Sequence, residues 1–142
     1  MNFIFLSDAF YEKYAGCIEI EKKRERPYIM VCVRIGGNLF AVPLRSNINH
    51  KYVLWTDKEN RCGVDFSKAV VISSARHIDH SKTPHIRQNE FDSLRGKEVI
   101  VAQKLKQYIA VYKKARLRLD VPRNRNICNF STLQYFEDYI GI

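Results

Sequence analysis

The chain has 142 residues, 46% apolar and 12% aromatic, and a formal net charge of +9. That length suits one domain, 1–142, with a core of ordinary size, and the composition excludes general disorder. No stretch approaches the roughly 20 apolar residues of a membrane span, and the opening MNFIFLSDAF has no basic segment, so no signal peptide is expected.

The charge is concentrated. Positions 97–125 hold nine Lys/Arg against Glu98 and Asp120, a net of +7. Such a patch favours a polyanionic partner, nucleic acid first and an anionic membrane surface second. Cys17, Cys32, Cys62 and Cys128 lie far apart with no CxxC pair, and are read as reduced thiols of a cytoplasmic protein.

In chain order, Asn2–Leu6 predicts a strand, and Ser7 with Asp8 caps a short helix to about Tyr14. Glu19–Arg26 is a charged loop containing Lys22, Lys23 and Arg26. Tyr28–Ile35 is apolar on both faces, as in a central strand. Gly36–Gly37 supplies a hairpin turn, and Asn38–Leu44 returns. Pro43 lacks a backbone donor, so the strand is expected to end or reach an edge there. Tyr52–Thr56 and Gly63–Ser74 are further strands, with a turn at Asp57–Arg61. The polar segment Ala75–Gln88 contributes at most an edge strand. Asn89 caps a helical segment that Gly96 breaks. From Lys97 to Arg116, Val101, Leu105, Tyr108, Tyr112 and Ala115 recur at helical spacing. Leu117–Asn126 reads as extended, broken by Pro122. A closing helix is announced by the capping box Ser131/Gln134 and the staple Phe130/Tyr135. The pattern is α+β: an antiparallel sheet, one long helix and short terminal helices.

The stretch FAVPLRSNINHK delivers Arg45, Ser46, Asn47, Asn49, His50 and Lys51 from the end of a rigid hairpin. These groups suit metal-independent RNA cleavage. There the ribose 2′-hydroxyl attacks the adjacent phosphate and the 5′-oxygen departs. A histidine, with a free pKa of about 6.5, moves protons at neutral pH. Arginine and lysine stabilise the charge on phosphorus, and serine hydrogen-bonds a phosphate oxygen. His77, His80 and His85 sit in one segment, but no carboxylate or cysteine pattern completes a metal site. Phosphate-binding glycine loops, dinucleotide fingerprints and nucleophile elbows are absent from the sequence, so no cofactor is implied.

Several segments together resemble a known family. MNFIFLSDAFYEKY, PYIMVCVRIGGNLFAVPLRSN, GVDFSKAVVI and CNFSTL, in that order, look like the toxin ribonucleases of type III toxin–antitoxin systems, the ToxN/AbiQ group and its TenpN-like branch. The resemblance implies a compact twisted antiparallel sheet or barrel akin to the MazF/Kid toxins. It implies a metal-independent endoribonuclease that leaves a 2′,3′-cyclic phosphate. The expected partner is a repeated pseudoknot RNA antitoxin that the enzyme processes, in a closed protein–RNA assembly of the bacterial cytoplasm, active in phage resistance. Ser46 keeps the family's hydroxyl, Arg45 replaces the hydroxyl before it, and Ile48 stands where the family has lysine. The expected catalytic set is therefore Ser46, His50, Lys51, Arg45 and Arg26. Lys22, Lys23, Asn47, Asn49, Lys106, Lys113, Lys114, Arg123 and Arg125 are expected to hold RNA. A non-catalytic RNA-binding module and an inhibitor of a protein target are the alternatives.

Overall fold

The computed structural model describes residues 1–20 and 27–142. The expected sites Lys22, Lys23 and Arg26 lie outside the described residues. Strand β1 (Phe3–Leu6) is followed by helix α1 (Asp8–Lys13), which the Ser7 hydroxyl caps by accepting the Phe10 N–H. Strands β2 (Met30–Ile35) and β3 (Asn38–Arg45) form the expected hairpin, with Gly36 at φ 57° and Gly37 at φ 84°. Then come β4 (Val53–Asp57), β5 (Cys62–Asp65), β6 (Val70–Ile72) and β7 (Ile78–Asp79). Helices α2 (Gln88–Leu94), α3 (Glu98–Arg116) and α4 (Pro122–Phe130) complete the α+β fold.

All strand pairs are antiparallel, in the order β4-β5-β3-β2-β1-β7, with β6 also on β3. The sheet is open, so the barrel alternative is corrected: β4 and β7 do not pair. The apolar stripe of α3 falls as its spacing predicts, and Val101, Leu105, Tyr108, Tyr112 and Ala115 are all buried.

The expected strand Gly63–Ser74 is in fact interrupted. Leu44 pairs with Val64 and Ala41 with Val70, so Val42 and Pro43 face five residues, Asp65–Ala69. Those five fold out as a turn of 3₁₀ helix, Phe66–Lys68, started by the Asp65 carboxylate, which accepts the Ser67 N–H at 3.0 Å. This also explains Pro43, which sits within a central strand and not at its end. The Leu44 N–H points to Ile29 beside β2. Backbone groups alternate along a strand, so the donor that Pro43 lacks would face the gap between β5 and β6.

Three helix expectations are corrected. Helix α2 begins at Gln88, ahead of Asn89, with no side-chain cap. Pro122 starts α4 instead of ending structure, because a proline at the first helical position gives up a donor that has no partner anyway. Beyond α4 the chain makes two 3₁₀ turns, Thr132–Tyr135 and Glu137–Ile140, in place of one α-helix. Ser131 does cap, accepting the Leu133 N–H at 3.2 Å. Gln134 donates to the carbonyls of Cys128, Asn129 and Ser131, so the box does not close, and Phe130 stands 68% exposed and staples nothing.

The segment after α4 supports the interrupted strand. Ser131 and Thr132 are wholly buried, and the Thr132 hydroxyl donates to the carbonyls of Ser67 and Ala69. Gly63 is as tightly placed: a Cβ there would lie 2.5 Å from the Leu54 carbonyl oxygen and 2.8 Å from Val53 Cγ2. Backbone cannot yield as a side chain can. Gly63→Ala is therefore expected to cost about 3 kcal/mol, read as a lower urea midpoint at unchanged slope.

Candidate active site

The site is built on Asp65, at the end of β5, whose side chain has no solvent exposure. A buried carboxylate must be bonded on every side, and this one is. Arg45 Nη1 donates to Oδ2 at 2.8 Å. Ser67 donates to Oδ1 through its hydroxyl at 2.6 Å and its N–H at 3.0 Å. His50 Nε2 lies 3.0 Å from Oδ1. Burial alone would push the Asp65 pKa up; the bonds from His50, Ser67 and Arg45 outweigh it and hold the carboxyl below its ordinary range.

Arg45 stays charged for the same reason: burial opposes its charge, but Asp65 and Tyr28 favour it. The Tyr28 side chain bonds to the guanidinium, whose carbon lies 5.7 Å from the ring centre. Two groups thus fix Arg45 in direction. Ser46 is next in the chain, exposed, with no protein partner among the described residues. The Ser46–Tyr52 loop is pinned by buried Ile48, whose N–H donates to the Arg61 carbonyl at 3.1 Å and whose carbonyl accepts Arg61 Nε at 2.6 Å. Ile48 is therefore a structural plug.

Arg45 and Ser46 open into a pocket of about 270 Å³ that Tyr28, His85, Arg87 and Glu90 also line. Glu90 accepts a 2.6 Å hydrogen bond from Thr56, which ties α2 to β4 beneath the pocket. The exposed imidazole of His85 enters from the segment before α2.

The structure separates His50 and Lys51 from this pocket. The Tyr52 N–H donates to His50 Nδ1 at 3.0 Å. A ring nitrogen that accepts carries no proton, so the neutral ring holds its proton on Nε2, facing Asp65 and Ser67. Both nitrogens of His50 are engaged inside the protein, which makes it a group that positions Asp65. Lys51 turns the other way, its ammonium 5.6 Å from the Tyr52 ring centre. It lines a different cleft of about 480 Å³, with Lys104, Lys114, Arg118 and Arg123.

Of the expected RNA-binding residues, Lys114 and Arg123 line that cleft, whereas Lys106, Lys113 and Arg125 do not. Arg125 instead donates to the Leu119 carbonyl at 2.9 Å. Asn47 and Asn49 are exposed in the loop beyond Ser46, Asn47 at φ 56°.

Two functional candidates were not picked out from the sequence. Asp65 carried a signal: a lone carboxylate within GVDFSKAVVI has to be buried and therefore paired. His85 carried none that separates it from His77 or His80, because only the folded chain brings it to Ser46. Among the described residues no group of three or more His, Cys, Asp or Glu side chains is placed to hold a metal ion. No helix is long and apolar enough to cross a membrane. No family model, curated protein or solved structure matches the chain.

Proposed function

We propose that this protein is an endoribonuclease that cuts RNA without a metal, as the toxin of a type III toxin–antitoxin system. The observation that carries the reading is the pairing of an Arg45 locked by buried Asp65 with an exposed Ser46 hydroxyl and the His85 imidazole in one pocket. Those groups supply charge stabilisation and one of the reaction's two proton transfers. The 2′-oxygen attacks phosphorus, the bond from phosphorus to the 5′-oxygen breaks, and a 2′,3′-cyclic phosphate forms. One proton leaves the 2′-hydroxyl and one reaches the 5′-oxygen. Arg45 and Ser46 bind the non-bridging oxygens, where charge builds up. His85 takes a proton-transfer step. His50 acts from behind through Asp65, and Lys51 holds RNA backbone in the neighbouring cleft.

The kinship with MazF/Kid toxins, the repeated pseudoknot RNA antitoxin, the closed assembly with that RNA, the bacterial cytoplasmic setting and a part in phage resistance belong to the same proposal. They rest on the resemblance of the four sequence segments. A non-catalytic RNA-binding protein is the alternative, and the cation-lined cleft away from Ser46 favours it. The ends of the product separate the two. Incubation with single-stranded RNA should yield 2′,3′-cyclic phosphate termini, undiminished in EDTA. Intact RNA would leave only the binding reading, and loss of cutting in EDTA would require a metal ion.

A further inference from the structure

The cleft of about 480 Å³ lies between β4, α3 and α4 and shares no lining residue with the Ser46 pocket. Its volume falls within the roughly 300–1,000 Å³ of sites that enclose a small ligand. Its walls have two characters. The rim carries Lys51, Lys104, Lys114, Arg118 and Arg123, and among the described residues no carboxylate lines it. Arg118 is paired with Asp120, at 3.1 Å; the other four have no carboxylate partner among the described residues. The floor is apolar, from Phe66, Val111, Ala115 and Ile127, beside the edge-to-face rings of Tyr52 and Tyr108, 5.2 Å apart.

A nucleic-acid backbone alone needs cations, and a flat basic face supplies them. A concave apolar floor beneath such a rim suits something with an apolar face and a phosphate on the same unit. An unpaired nucleotide is that object: its base buries against apolar and aromatic groups, and its phosphate meets the rim. A duplex keeps its bases stacked and cannot enter. We propose that this cleft is a subsite for one unpaired RNA nucleotide, apart from the place of cutting. The inference rests on RNA being the partner, as proposed above.

The probe is a fluorescein-labelled single-stranded RNA of about 12 nucleotides, a length that covers the ordinary site size of such grooves. Binding is read by anisotropy on Ser46→Ala protein, so that the strand stays intact. Lys104→Gln, Lys114→Gln and Arg123→Gln together should weaken binding about 10–100-fold and lower the salt slope by about 2. Val111→Trp leaves every charge in place and fills the floor. It should cost about tenfold on the single strand and nothing on a blunt RNA duplex. Should Val111→Trp unfold, Gln107→Trp at the exposed rim closes the same mouth. Binding that responds to the charges but not to either tryptophan would mean backbone contact alone and overturn the subsite. Indifference to all of the variants would overturn it too, as would full displacement of the RNA by equimolar AMP. The nuclease reading fails separately. Should the unaltered protein bind through the cleft and leave RNA whole, the subsite stands and the nuclease falls. Should it cut while the cleft variants bind like their parent, the reverse holds.

Discussion

Asp65→Asn should cost about 3 kcal/mol of stability at neutral pH, the low end for breaking a buried ion pair, because Arg45 can turn partly to water. Asparagine keeps one acceptor and presents an amide N–H₂ where the carboxylate had its second. Arg45, His50 and Ser67 all donate inward, so at least one donor loses its acceptor. The pH dependence identifies the cause. The Asp65 pKa in the folded chain lies below the ordinary 3.8. Its contribution is therefore complete above that value and is lost as pH falls through the lower, folded value. The stability gap between parent and variant, read from urea midpoints, should stay constant above about pH 4 and narrow below it. A gap that persists at low pH would mean that packing, not charge, is responsible. The variant should also cut RNA about 100-fold more slowly, since Arg45 loses its fixed direction.

Ser46→Ala should lower cleavage about 100–1,000-fold and leave RNA binding within about threefold, as loss of one preorganised donor does. His85→Ala should lower cleavage about 100–10,000-fold, the range of a general acid or base. The pH–rate profile separates it from His50. One limb should vanish in His85→Ala and persist in His50→Gln, whose main effect should be on stability. Retention of both limbs in His85→Ala, or full activity in Ser46→Ala, would remove the respective residue from the chemistry.

These assignments show what a linear reading can reach. The α3 stripe was legible because helical periodicity repeats over the 19 residues of the helix. The Gly36–Gly37 hairpin was legible because the turn chemistry is local. Arg45 and Ser46 were legible as a pair because they are neighbours on one strand end. His50 and Lys51 are also neighbours, yet one faces Asp65 and the other an open cleft. Adjacent residues in a loop need not share a face, and nothing in their identity says which way each points. The break at Asp65–Ala69 was hidden by composition: Phe66, Ala69 and Val70 continue an apolar run, and only the acid betrays the turn. Pro122 has two physical meanings, helix start and helix stop, and the tertiary packing chose the first. His85 reaches the site through the fold alone.

The buttress under the Asp65 turn has a bearing on the order of synthesis. Thr132 closes the turn by bonding the carbonyl of Ser67, 65 residues earlier in the chain. A ribosome therefore completes Asp65 and its turn long before the residue that braces that turn has been made. During that interval the turn holding the Asp65 carboxylate lacks its support. The finished turn becomes available only when Thr132 has folded back onto it.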